Sequence, residues 1–175
     1  MKKKQVVMLP GFNGSADQPI LVALAKALAK TCECTRLAPP RFKVTPELTA
    51  HVDWLEEAVR PLESSRLIVI GRSFGGRLAL RLAARRKLAA VVLLGFPIRP
   101  PGKPRPLDEE ALRTVRCRTL IMQGSKDELG PLRVFKPIVP ANRALELQVL
   151  KGAGHSFGAQ QRAAIEHVAR WVALV

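Results

Sequence analysis

The sequence contains no tyrosine, and aromatic residues make up only 5% of its 175 positions. Single-stranded nucleic acids are gripped by stacking bases on aromatic rings. A nucleic-acid partner is therefore not expected, although 29 lysines and arginines stand against 14 acidic residues and leave a net charge of +15. The basic residues are also dispersed: the densest clusters, Lys2-Lys3-Lys4 and Arg85-Arg86-Lys87, are three residues long. Long apolar runs are missing too. The nearest, Ile20 to Ala29, carries Lys26 and is followed by Lys30, short of the ~20 residues that span a bilayer. Membrane insertion is not expected. Cysteine is scarce, and the odd count of Cys32, Cys34 and Cys117 argues against a disulfide framework. Cys32 and Cys34 would share one face of a strand as small buried thiols, with no further ligands nearby for a metal. The apolar stretch before Pro10 is too short for a cleavable leader, so the cytoplasm is the expected location.

What is present is alternation. Short apolar runs, read as strands at Gln5–Leu9, Cys32–Leu37, Leu67–Ile70, Ala89–Leu94, Arg118–Gln123 and Ala144–Leu150, are separated by segments with helical spacing. Ser15 and Gln18 suggest a capping box opening a helix to about Lys30. Thr45-Pro46-Glu47 suggests an N-cap, a proline at the first helical position and an acid in the first turn. The helix it opens would bury Leu48, Val52, Leu55, Val59 and Leu62. Further helices are expected from the segment after Leu67–Ile70 to about Arg86, at about Asp108 to Val115, at Pro131 to Lys136 and at Gln160 to Leu174. This order predicts an α/β fold of one domain, residues 1–175: a three-layer sandwich with a mostly parallel six-stranded sheet. Residues Gly95 to Pro106 hold five prolines in twelve positions and must form a stiff loop.

At the end of the third apolar run stands Gly71-Arg72-Ser73-Phe74-Gly75, a G-x-S-x-G sequence followed by a helical pattern. A strand, a sharp turn and a helix with serine at the apex form a nucleophile elbow, which lifts the hydroxyl above the sheet. A serine hydroxyl needs a base, normally a histidine held by a carboxylate. Of the three histidines, His51 and His167 fall within helices and read as core-edge or exposed residues. His155 lies in the glycine-rich loop Gly152-Ala153-Gly154-His155-Ser156-Phe157-Gly158. Asp127, with Glu128 as the alternative acid, follows the fifth strand. Ser73, Asp127 and His155 thus come in that order, 54 and 28 residues apart, each at a strand carboxyl end. An oxyanion produced by Ser73 would need backbone donors: the N–H of Phe74, and that of Phe12 in the Gly11-Phe12-Asn13-Gly14 turn.

These motifs resemble the α/β-hydrolase superfamily over nearly the whole chain, and the small group related to dienelactone hydrolases most of all. Gly95-Phe96-Pro97-Ile98-Arg99-Pro100-Pro101-Gly102-Lys103-Pro104 and Leu120-Ile121-Met122-Gln123-Gly124-Ser125-Lys126-Asp127 are similar to segments of a branch that includes eukaryotic hydrolase-like proteins. The resemblance implies a minimal α/β-hydrolase fold and a triad of Ser73, Asp127 and His155. Three departures stand out. Pro10-Gly11 replaces the usual His-Gly before the oxyanion loop, the two antiparallel leading strands of larger relatives are missing, and Ser73 stands where a dienelactone hydrolase has cysteine. The 23 residues between Leu94 and Arg118 cannot hold a lid domain, so an open, shallow site is expected.

The expected activity is hydrolysis of a small ester or thioester through an acyl-enzyme, with no cofactor and no metal. Gly11, Asn13, Arg72, Phe96, Pro97 and Phe157, with Phe12, are the expected lining. Arg72, Arg99 and Lys126 are candidates for attracting acidic or phosphate-bearing acyl substrates such as thioesters. The competing class is a non-catalytic interaction protein using the basic surface and the proline-rich loop.

Overall fold

Side chains alternate between the two faces of a strand, and here both faces are apolar, so one sheet organises two cores. Residues 2–175 are described by the structure, a computed structural model. The elements run β1 (Lys4–Leu9), α1 (Pro19–Leu28), β2 (Cys32–Arg36), α2 (Thr49–Ala58), β3 (Leu67–Arg72), α3 (Phe74–Arg85), β4 (Ala90–Leu94), α4 (Pro106–Thr114), β5 (Arg118–Gly124), α5 (Leu132–Phe135), β6 (Leu145–Leu150), a 3₁₀ turn (Gly158–Gln160) and α6 (Gln161–Ala173). The six strands lie in the order β2-β1-β3-β4-β5-β6, and every pairing is parallel. This is the six-stranded α/β-hydrolase architecture without a lid domain.

Val7, Leu9, Val69, Val91, Leu93 and Ile121 face α2, α3, α4 and α5. Their alternate neighbours Val6, Met8, Ile68, Ile70, Val92 and Met122 face α1 and α6. A parallel sheet covered on both faces needs such near-continuous apolar strands. Cys32 and Cys34 both pack on the α1/α6 side, and burial, followed by the nearby Cys32, pushes the Cys34 thiol up to about 11. The chain leaves β1 toward β2 at one edge and returns to β3 on the other side of β1. Loops diverge at such a switch point and open a crevice at the strand carboxyl ends.

Two helix starts differ from expectation. The Ser15–Gln18 capping box does not form: Gln18 Oε1 instead accepts the Gly11 N–H at 3.1 Å, and Ser15 Oγ accepts that of Asp17. Gln18 is thereby spent on shaping the loop after β1. Thr45 Oγ1 does take an N–H, that of Leu48 at 3.2 Å, but Leu48 then adopts a left-handed conformation (φ 59°) before α2 begins at Thr49. Pro46 therefore lies outside the helix. Leu48 is fully buried, and its insertion into the core accompanies the turn.

Candidate active site

Strand β3 carries Ser73 into the crevice on a turn that only glycine permits at two places. A Cβ on Gly71 would overlap the backbone of Gly75 and Gly76, and one on Gly75 would lie 2.5 Å from the Leu9 carbonyl oxygen. Strand, turn and helix could not close with larger residues there. Ser73 itself takes φ 49° and ψ −109°, a strained conformation for a non-glycine residue, costing about 1–3 kcal/mol. Its N–H is tied to the Leu94 carbonyl on the adjacent strand at 2.9 Å.

The loop after β6 brings His155 over this apex, with Nε2 2.9 Å from Ser73 Oγ. On its other side Nδ1 lies 2.8 Å from Asp127 Oδ2. Asp127 is 2% exposed and its carboxylate is fully engaged: Oδ1 accepts the Leu129 N–H at 2.9 Å, and Oδ2 also accepts from Gln123 Nε2 at 2.7 Å. Glu128, the alternative acid, is exposed and outside this line. Arg72 Nη1 lies 3.1 Å from His155 Nε2. A guanidinium only donates, so Nε2 must be the acceptor there and the imidazole proton sits on Nδ1, facing Asp127. Burial pulls the Arg72 guanidinium below its ordinary pKa, an effect that the Asp127 carboxylate opposes.

Gln123 was not foreseen from the sequence. It is wholly buried at the end of β5, where its Nε2 donates to Asp127 and to the Gly130 carbonyl at 2.9 Å, while Oε1 accepts the Phe96 N–H at 2.8 Å. One amide therefore binds the carboxylate to the loops after β4 and β5. The available signal was a polar side chain directly after the apolar run Leu120–Met122, still within the strand.

Two backbone donors point away from any protein partner. In the first turn of α3, Gly75 N–H binds the Pro10 carbonyl and Gly76 N–H binds that of Ser73, while Phe74 N–H has no acceptor among the described residues. Phe12 N–H, in the loop after β1, is likewise without one. The first N–H groups of a helix are unsatisfied within it and carry partial positive charge, so they favour an anion. Gly11 sits against Ser73: a Cβ built on it would be 3.7 Å from that of Ser73.

Beside Ser73 opens a cavity of about 530 Å³. Its walls include Phe12, Val44, Pro97 and Leu129, and the proline-rich loop after β4 with the start of α4 closes one flank. The 23 residues after β4, too few for a lid domain, line one flank of the cavity through Pro97, Lys103, Pro104 and Arg105. Several expected lining residues lie elsewhere. Phe96 is fully buried in the core beneath α3, and Phe157 is 1% exposed on the α1/α6 side. Asn13, with φ 54°, borders a separate hollow with Phe42 and His51. Arg72 lies behind His155, Arg99 pairs with Glu109 at 2.6 Å, and Lys126 faces another depression beyond Asp127. None of these three cations lines the cavity at Ser73.

His51 is a core-edge residue, one of the two expectations, and borders the hollow of Asn13 and Phe42. It is 3% exposed, edge-on to Phe74 (centroids 5.1 Å apart) and to Phe42 (5.3 Å), and its Nδ1 has no hydrogen-bond partner. Burial first, and then the charge of Arg77, hold its pKa below 6.5. His167 is half-buried on α6, 3.9 Å from Glu146.

With this geometry in hand, comparison with known proteins is direct. The profile of an alpha/beta hydrolase domain family matches residues 27–174, and the chain belongs to that family. No curated protein sequence matches the chain. Among solved structures it is similar to Est1E from Butyrivibrio proteoclasticus, at 16% identity and a TM-score of 0.79, covering 97% of this chain and 87% of that one. It is similar to an alpha-beta serine hydrolase homologue from Coxiella burnetii (21% identity, TM-score 0.80, 97% and 85% covered). A third is the monoacylglycerol lipase of Paleococcus ferrophilus (12% identity, TM-score 0.78, 96% and 93% covered). At these identities the likeness is one of fold. Among the described residues no helix is long and apolar enough to cross a membrane.

Proposed function

We propose that the chain is a single-domain serine hydrolase that cleaves a small ester or thioester. The observation that carries this reading is the unbroken line from Ser73 Oγ through His155 to Asp127, with steps of 2.9 and 2.8 Å, at the edge of a cavity. With the proton on Nδ1, Nε2 carries a lone pair, shared between the Arg72 N–H and the Ser73 hydroxyl, that takes the Ser73 proton as Oγ attacks the carbonyl carbon. The imidazolium so formed is stabilised by Asp127, which Gln123 and the Leu129 N–H hold in place. The oxyanion is received by the N–H groups of Phe74 and Phe12, where each donor contributes about 3 kcal/mol in comparable sites. Collapse expels the alcohol or thiol, which takes the proton from Nε2. Water then attacks the acyl-enzyme as His155 takes its proton, and collapse breaks the acyl–Oγ bond, releasing the acid while His155 returns the proton to Ser73 Oγ. The serine hydrolase homologue and the monoacylglycerol lipase named among the similar structures accord with this chemistry.

The test is covalent. A fluorophosphonate should phosphonylate Ser73, as located by mass spectrometry, and a short-chain nitrophenyl ester should be turned over by the protein but not by Ser73→Ala. No adduct at Ser73 together with turnover no greater than that of Ser73→Ala would sink the hydrolase reading in favour of a non-catalytic interaction protein.

A further inference from the structure

The cavity beside Ser73 holds a second set of groups that ester hydrolysis does not require. Helix α3 leaves the elbow with Arg77 and Arg81 at one and two turns from Ser73, so that all three lie on one face. Both arginines line the cavity, as do Lys103 and Arg105 from the proline-rich loop. The one acidic side chain in that lining is Asp108. It is 1% exposed, and both its oxygens are taken: Oδ2 by Arg77 Nε at 2.6 Å, and Oδ1 by Arg81 Nη2 at 2.7 Å and Nε at 3.2 Å.

The one carboxylate in the lining therefore pairs with two of the four cations and leaves positive charge in excess. The terminal nitrogens of Arg77 have no protein acceptor among the described residues, although the side chain is only 7% exposed. Arg105 donates through Nη1 to the Pro97 carbonyl at 2.8 Å, which leaves the rest of its fork unpaired. Glu109, the next acid along, is engaged by Arg99 and Arg113. Burial first, then repulsion from Arg77, against the attraction of Asp108, brings Arg105 down to about 10, so it remains a cation at neutral pH. Partly buried cations with free donors, more numerous than the carboxylate among them can balance, form a place for an anion, and guanidinium forks match the planar oxygens of a carboxylate or the oxygens of a phosphate. Prolines 100, 101, 104 and 106 hold the loop that carries Lys103 and Arg105, so the site is formed in advance. The opposite wall is apolar, with Phe12 and Val44.

We propose that this cavity selects esters or thioesters carrying a second, anionic group, which Arg77 and Arg105 hold beside the scissile carbonyl at Ser73, with Arg81 and Lys103 adding to the field. The substrate class is then an acyl compound with a short apolar spacer between carbonyl and anion. This rests on the hydrolase reading above, and the experiment separates the two.

Binding is measured in Ser73→Ala, which cannot form an acyl-enzyme, using 4-nitrophenyl hydrogen glutarate and its neutral counterpart 4-nitrophenyl pentanoate. Turnover of the same pair is measured in the unaltered protein. The anionic ester should bind and react roughly tenfold or more better, the usual effect of a hydrogen bond to a charged group. That ratio should shrink by a similar factor in Arg105→Gln, with a smaller decrease in Lys103→Gln. Neither variant touches the Arg77–Asp108–Arg81 cluster, so both should fold. Glutarate and inorganic phosphate are compared as competitors, and the better inhibitor identifies the preferred anion. Anion-selective binding without turnover would support the cavity's role and sink hydrolysis alone. Turnover with equal use of both esters, or a ratio unchanged in Arg105→Gln, would overturn the inference and leave hydrolysis standing.

Discussion

On one side of Ser73 the polar groups are matched partner for partner; on the other, positive charge is in surplus. The matched side is the line of His155, Asp127 and Gln123, where each buried donor meets an acceptor across loops that leave three different strands. The surplus side is the cavity wall, where Asp108 answers Arg77 and Arg81 but nothing answers Arg105 or Lys103. A matched network holds a geometry, because losing any member leaves another buried and unpaired. A surplus holds a vacancy that a ligand can fill. The two sides divide the work of one site, the first suited to reaction and the second to choice of substrate.

The comparison breaks most sharply at Asp127. Asp127→Asn should leave the fold intact and lower kcat by about 10³–10⁴-fold, because the amide cannot hold the Nδ1 tautomer or balance an imidazolium. Steady-state turnover of a nitrophenyl ester, with circular dichroism to check folding, measures this, and a loss below tenfold would refute it. Next in size is Asp108→Asn on the surplus side. Removing the only carboxylate leaves Arg77 and Arg81 buried against each other, and stability should fall by about 3 kcal/mol, read from urea denaturation. An unchanged midpoint would mean that solvent, not Asp108, balances these arginines.

The smallest effect concerns His51, which touches Phe74 at the boundary between the two sides. Its pKa is lowered in the folded state, so acidification protonates the unfolded chain first. The contribution of neutral His51 is complete above the ordinary value of 6.5 and is lost as pH falls through the lowered folded value. His51→Phe should therefore flatten this part of the profile. Thermal melts of both proteins from pH 8 to pH 5 would show curves that run parallel, with a constant offset, if His51 plays no such part.

Much of the architecture was legible in short stretches. Apolar runs separated by helical segments predicted six strands with helices on both faces, because strands of a doubly covered sheet read as short continuous apolar stretches. Gly71 and Gly75 flagged the elbow, since nothing larger fits where β3 meets α3. The lining was read less well. Phe96 and Phe157 looked like cavity walls from their positions next to the site in sequence, yet both turn inward, where burial of a large ring outweighs proximity along the chain. Arg72, Arg99 and Lys126 were similarly misplaced, and the cations that do line the cavity come from the face of α3 that continues from Ser73 and from a proline loop. Gln123 was hidden because its three bonds all reach residues brought near only by the sheet.

By itself, then, the sequence determined the order of elements, the two-sided sheet and which serine, histidine and aspartate stand at strand ends, since these follow from period, turn chemistry and chain order. Only the tertiary structure decided which polar groups meet and which cations remain unanswered. Hydrogen bonds and charge balance depend on distances of a few ångströms between segments tens of residues apart, and no local pattern encodes them.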